Sequence, residues 1–146
     1  MINAHNLNSR LDEHERLVKF LDTMAVMLGC AQTLNSHFPD TTRPDVIRMS
    51  TKLNVLFVGD AKNTESPDSV STQERLFNYV LWMSLFLSNN NKRKIVFAIC
   101  HNKRENSHSW LKMLFSLFSR SGIYPSQYGV EEFDSSTYIE WIHAKG

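Results

Sequence analysis

The chain has 146 residues, 42% of them hydrophobic and 21% charged, the balance of one folded domain rather than of a disordered or repetitive polypeptide. Its formal charge of +1 excludes a general attraction to polyanions, so a nucleic-acid partner would have to be held by a local basic patch. Two cysteines, Cys30 and Cys100, exclude a disulfide framework and read as buried thiols of a reducing compartment.

The first residues, Met1-Ile2-Asn3-Ala4, show no basic segment followed by an apolar run, so no secretory signal is expected. The longest apolar-rich stretch, Leu76 to Leu87, is too short to span a bilayer. A single cytoplasmic domain over residues 1–146, without membrane attachment, is therefore expected.

Asn8 and Ser9 are N-cap candidates for a helix running to about Leu28, where Gly29 gives a stop signal. Leu11, Val18, Leu21, Ala25 and Leu28 recur at helical spacing and define its apolar face. The breaker-rich stretch from Asn35 to Pro44 reads as a loop, with a short strand near Leu34. Two extended runs follow, Asp45 to Met49 and Asn54 to Asp60, and the polar link Ser50-Thr51-Lys52-Leu53 makes them a hairpin.

After a loop from Lys62 to Ser71, a helix is predicted over about Thr72 to Ser88, with Ser71 or Thr72 as N-cap and Glu74 in the first turn. It is apolar on most sides from Leu76 onward, as in a helix that is sandwiched or self-associating. Asn89-Asn90-Asn91 breaks it, and Lys94 to Cys100 is a near-continuous apolar run suited to a central strand. A third helix spans about Ser109 to Ser121 and stops at Gly122; its stripe of Trp110, Leu111, Met113, Leu114, Phe115, Leu117 and Phe118 reads as core or an oligomer contact. The tail, Thr137 to His143, reads as a last strand, with a short helix as the alternative. The order predicts an α/β (α+β) fold: a mixed sheet of four to five strands flanked by helices.

Chemistry concentrates on the hairpin. Pro44-Asp45 opens its first strand and Asp60-Ala61-Lys62 closes its second. The midpoint between Asp45 and Asp60 falls between Lys52 and Leu53, inside the predicted turn, so the two aspartates should face one another on neighbouring strands. Strand alternation puts Asp60 and Lys62 on one side if the strand continues past Asp60. Two facing carboxylates repel unless a cation or proton lies between them, and oxygen donors suit Mg²⁺ or Mn²⁺. The Ala61 carbonyl is a further candidate ligand, and Lys62 is placed to orient a water or to balance phosphate charge. The bland alternative leaves Asp60 and Lys62 as a strand end, the lysine in solvent.

Pro44-Asp45, a spacer of 14 residues and Asp60-Ala61-Lys62 after an apolar strand resemble the PD-(D/E)XK nuclease superfamily. The resemblance covers roughly Asn8 to Cys100 and implies a restriction-endonuclease-like core in the order αβββαβ, here with an added helix and final strand. It implies a metal-dependent endonuclease hydrolysing phosphodiesters, with DNA favoured over RNA because most members act on DNA. It also implies an acidic residue from the first helix, for which Glu13 and Glu15 are both present. His14 lies at the centre of the helix face turned to the sheet, and the cap-snatching members of the superfamily use a helix histidine as a metal ligand. A hydrogen-bonded core-edge histidine and solvated glutamates are the alternatives, and the choice among the three stays open. Gln73 and Arg75 resemble the polar residues such nucleases place near the scissile phosphate, with ordinary capping and surface charge as the alternative.

Lys92, Arg93 and Lys94, then His101, Lys103 and Arg104, bracket the apolar strand as the best local basic patches, Lys103 and Arg104 being the candidate backbone contacts. His101, His108 and Cys100 lack zinc-ligand spacing. A catalytic domain of this size without a separate binding module suggests a homodimer through the apolar helices. Two rivals stand beside the DNA endonuclease: a nuclease-fold protein that binds nucleic acid or a protein partner without cutting, and a Mn²⁺-dependent RNA endonuclease using His14.

Overall fold

The computed structural model describes residues 4–34, 43–88 and 93–145, with side chains from Leu11 onward. Helix α1 (Ala4–Met27) is followed by strands β1 (Gln32–Thr33), β2 (Val46–Ser50) and β3 (Val55–Lys62), helix α2 (Val70–Ser88), β4 (Lys94–His101), a 3-10 turn, α3 (Ser109–Arg120), β5 (Pro125–Asp134) and β6 (Thr137–Lys145). The strands form one mixed sheet in the order β1-β2-β3-β4-β6-β5. β3 and β4 are parallel, joined by the α2 crossover, and every other neighbouring pair is antiparallel.

Alternation along the central strands divides the core in two. Leu56, Val58, Phe97, Ile99 and Ile142 pack under α2 and α3, whereas Phe57, Ala61, Ala98, Cys100 and Ile139 pack under α1. The domain is a sheet with two helices on one face and one on the other. Cys30 and Cys100 are buried free thiols.

The hairpin register is the one the sequence predicts: Val46 faces Gly59, and the pairing runs unbroken to Ser50 opposite Val55. Its turn is stabilised by the Leu53 N–H donating to Ser50 Oγ at 3.0 Å and by a left-handed Asn54 (φ 58°), a conformation asparagine tolerates.

Several boundaries differ from expectation. α1 begins at Ala4 rather than after a cap at Asn8 or Ser9. Its buried stripe is Leu17, Leu21 and Ala25, and the expected face residues Leu11 and Leu28 are exposed. The physical reason is that only the central part of the helix, Leu17 to Ala25, seals against the sheet, whereas Leu28 lines an open depression beside Val55 and Val96. α2 starts at Val70, and the cap is Ser69, whose Oγ accepts the Thr72 N–H at 3.4 Å, rather than Ser71 or Thr72. Thr72 is buried on the inner face of the helix and is not free to cap it.

Six strands replace the expected four to five. The addition is β5, whose sequence Pro-Ser-Gln-Tyr-Gly-Val-Glu-Glu-Phe-Asp lacks apolar alternation because it is an irregular edge strand with most residues exposed. The tail is strand β6, and the short strand expected near Leu34 is β1. Positions 35–42 of the expected loop, the Asn89–Asn91 break and Lys92 lie outside the described residues.

α3 lacks a side-chain cap of its own and is fixed by a carboxylate from β6. Glu140 Oε1 accepts the Leu111 N–H at 2.9 Å, and its Oε2 lies 2.5 Å from His101 Nε2. The Lys103 N–H donates to His101 Nδ1 at 3.3 Å, so the imidazole proton sits on Nε2 and is given to Glu140. The His101 ring stacks on Tyr138. His101 is therefore a buried clamp, not part of an exposed basic patch. Glu140→Ala should destabilise the fold by about 3–5 kcal/mol in chemical denaturation, because it strands a buried imidazole N–H and a helix-end N–H, whereas Glu140→Gln should cost distinctly less. An unchanged unfolding midpoint for Glu140→Ala contradicts the clamp.

Candidate active site

The catalytic candidates collect where β2 begins and β3 ends. The register that sets Val46 against Gly59 brings Asp45 opposite Asp60, and the two residues lock together. The Asp45 N–H donates to Asp60 Oδ1 at 3.2 Å, and the Ala61 N–H donates to Asp45 Oδ2 at 2.8 Å. β3 continues through Lys62, which faces the same side as Asp60, and Lys62 Nζ lies 2.7 Å from Asp60 Oδ2. This is not a solvated strand end: Asp60 is 4% and Lys62 2% exposed.

Burial dominates the electrostatics. The Asp60 carboxyl is pushed up to about 7, first by loss of water, with the Asp45 carboxylate adding to the shift and the Lys62 ammonium opposing it. A carboxyl so placed holds a proton near neutrality unless more positive charge arrives.

Of the three first-helix candidates, the structure brings His14 to the pair. His14 Nε2 is 3.4 Å from Asp45 Oδ2, on the open side of the site, with side-chain exposures of 38% and 24%. Glu13 instead pairs with Arg16, which also donates to Thr137 Oγ1 at 2.7 Å and to the Ser136 carbonyl at 2.9 Å. Its carboxylate serves a clasp between α1 and the β5–β6 turn. Glu15 is exposed. Ala61 contributes an N–H to Asp45, and its side chain packs under α1.

The remaining candidates are mostly engaged elsewhere. Gln73 Nε2 donates to the Pro67 carbonyl at 2.8 Å, stapling the loop before α2. Arg104 bonds the Tyr138 hydroxyl and Glu132 on β6 and β5 while its side chain stays 75% exposed. Lys103 is half-buried and gives its backbone N–H to His101. Arg75 is exposed at the start of α2, within electrostatic reach of Tyr79.

Tyr79 is a site neighbour that sequence reasoning missed. It is fully buried on the inner face of α2, and its phenol is pushed up by burial and by the Asp60 and Asp45 carboxylates, with Arg75 opposing. The available signal was its spacing: Leu76, Tyr79, Val80 and Met83 form the helix stripe that covers the sheet, so the one polar atom on that stripe lands beside the strand end. Asn102 Nδ2 donates to Asn63 Oδ1 at 2.9 Å and ties together the loops that leave β3 and β4.

The donors fit a hard cation in modest number. Among the described residues no group of three or more His, Cys, Asp or Glu is gathered as a metal site. Asp45 and Asp60 are the residues that could hold a hard cation, which takes oxygen donors and keeps several waters. No family model matches the chain, and neither does a curated protein or a solved structure.

Asp60 titrates at 3.8 in an ordinary setting and at about 7 here, so between those values the folded state holds a proton that the unfolded chain has lost. The stability of metal-free protein should therefore fall as pH rises from about 4 to about 7 and level off above it. Asp60→Asn should flatten that slope, as read from denaturation midpoints across the range. A slope of opposite sign, attributable to Asp60 by the same substitution, contradicts the assignment.

Proposed function

We infer that the chain is a divalent-cation-dependent nuclease of the PD-(D/E)XK type, hydrolysing phosphodiester bonds. The carrying observation is the locked Asp45–Asp60 pair with Lys62 bonded to the second aspartate. Two further features support the reading. The elements α1, β1, β2, β3, α2 and β4 run in the order αβββαβ that the resemblance implies, and the site lies at the carboxyl end of a parallel strand pair, where loops are free to admit a ligand.

Asp45 and Asp60 are the residues that would hold Mg²⁺ or Mn²⁺, with His14 or the Ala61 carbonyl completing the set. The ion would supply neutralisation of phosphate charge and acidify a water at neutral pH. Asp60 must give up its proton to serve, so the pair binds the cation more tightly as pH rises toward and past 7. Lys62 holds Asp60 in place and, among the described residues, is the buried ammonium set to balance the charge that builds on a phosphate. Its depth means that it works from behind the carboxylate. His14 stands on the open side of Asp45, where substrate arrives, and is placed to orient a water or a phosphate oxygen.

DNA is the favoured substrate on the family resemblance. The position of His14 favours a second reading, a Mn²⁺-dependent RNA endonuclease, because it is the first-helix residue that reaches the aspartates. A homodimer would use the outward face of α2, where Leu81, Trp82 and Leu85 are exposed. Among the described residues no helix is long and apolar enough to cross a membrane.

Incubation with plasmid DNA and with single-stranded RNA, each with Mg²⁺ or Mn²⁺, should show cleavage. Asp60→Asn and Lys62→Ala should each lower the rate by about 100-fold or more while leaving the circular dichroism spectrum native. His14→Ala should abolish RNA cleavage if RNA is the substrate and slow DNA cleavage only modestly if it is not. Failure of the wild type on both polymers sinks the enzyme and leaves a nuclease-fold binding protein, whereas cleavage surviving both Asp60→Asn and Lys62→Ala sinks this site.

A further inference from the structure

One face of the sheet is only partly covered. α1 packs on β2, β3 and β4, and among the described residues no helix lies over the same face of β6 and β5. Six strands spaced by about 4.8 Å make a sheet nearly 30 Å wide, and a single helix of about 10 Å leaves much of that bare. Beside α1 the bare part forms a trough of about 570 Å³, within the size range of small-molecule sites.

The floor of the trough is apolar: Val55 and Phe57 of β3, Val96 and Ala98 of β4, and Trp141 of β6. A Cβ at Gly129 would come within 2.9 Å of the Trp141 ring, so the missing side chain on β5 is what lets the indole settle into the floor. Met24 and Leu28 form the α1 wall, and Gln127 and Glu131 stand on the β5 side, Glu131 toward the end nearer Phe133.

The trough is polarised along its length. Towards the end of β3 that carries Asp60 it is shut, because Phe133 meets Phe20 edge-on with ring centroids 4.6 Å apart and Arg16 clasps Thr137 and Ser136. At the other end Lys94 and His143 line it, placed by register beside Val55 and Val96. Neither side chain has a hydrogen-bond or ion-pair partner among the described residues. Burial, with the Lys94 and Lys145 ammoniums, pushes the His143 imidazole below its usual range. A largely apolar channel, with the Glu131 carboxylate toward its closed end, therefore opens at the Lys94 ammonium and a half-buried imidazole.

We propose that this trough binds a single-chain amphiphile with an anionic head, a fatty carboxylate, its tail along Phe57 and Trp141 and its head at Lys94 and His143. The closed end and the charged mouth give the ligand one orientation. A second copy of the chain laid over this face is disfavoured, since the outward side of α1 presents Asp12, Glu15, Lys19 and Thr23 and would bury them unpaired. The trough lies on the face opposite Asp60 and Lys62 and opens at the far end of β3, so the inference stands independently of the nuclease reading.

The test titrates the full chain with dodecanoate, dodecanol and dodecyltrimethylammonium below their micellar ranges, followed by calorimetry and tryptophan fluorescence. Dodecanoate should bind saturably with one molecule per chain, and Trp141→Phe should remove the fluorescence change while calorimetric binding persists. Lys94→Gln should weaken dodecanoate by about tenfold and leave dodecanol within about twofold. Val96→Trp, which fills the floor at a half-exposed position, should abolish binding of both. Absence of saturable binding overturns the proposal, as does equal affinity for the alkylammonium. So does dodecanoate affinity unaffected by both substitutions, or self-association in sedimentation that occludes the trough.

Discussion

Asp60 sits near the end of a central strand, under a helix, with almost no contact with water, and Lys62 two residues away on the same side favours its charged form against that burial. A buried carboxylate of this kind imposes conditions on everything around it. β3 must run two residues past Asp60 to deliver the lysine. β2 must begin opposite, so that the Asp45 N–H reaches one Asp60 oxygen while the Asp45 carboxylate collects the Ala61 N–H. Even so, Asp60 remains under-compensated and its proton affinity rises to that of a neutral-pH acid. A cation is the remaining partner that would relieve it.

The rest of the fold holds that corner still. Arg48 reaches from β2 to Asp22 on α1 and to the Ala31 carbonyl at 2.8 Å, fixing helix to sheet on one side of the site. Arg16 does the same between α1 and the β5–β6 turn. On the opposite face, Glu140 ties His101 at the end of β4 to the first turn of α3, one strand away from Lys62. Each clasp costs desolvation and returns order at a strand end, where backbone pairing stops and side chains must take over.

The hairpin was legible in the sequence because one face of a strand is buried and register cannot slip without turning every side chain over. That constraint fixed the pairing of Asp45 with Asp60 from spacing and turn position alone. β5 was illegible for the converse reason: an edge strand exposed on most of its surface needs no apolar alternation, and Pro125 to Asp134 has none. Helical spacing alone misled the reading of α1's buried face, since Leu11 and Leu28 keep that spacing but stay exposed while Leu17, Leu21 and Ala25 are sealed against the sheet. Within the site, helical spacing put His14 at the centre of the sheet-facing side with Glu13 and Glu15 flanking it, and left the choice among them open. The orientation of α1 brings His14 to Asp45, and Arg16 takes Glu13 away. Tyr79 stayed hidden because a tyrosine on an apolar stripe reads as core, which it also is.

The central claim is that Asp45 and Asp60 form one cation site. Anomalous diffraction from crystals soaked in Mn²⁺ tests it most directly. The account predicts a peak between the two carboxylates, about 2.2 Å from an oxygen of each, that disappears in Asp45→Asn crystals. No peak at the pair under saturating Mn²⁺, or one that persists when Asp45 is replaced, would contradict it.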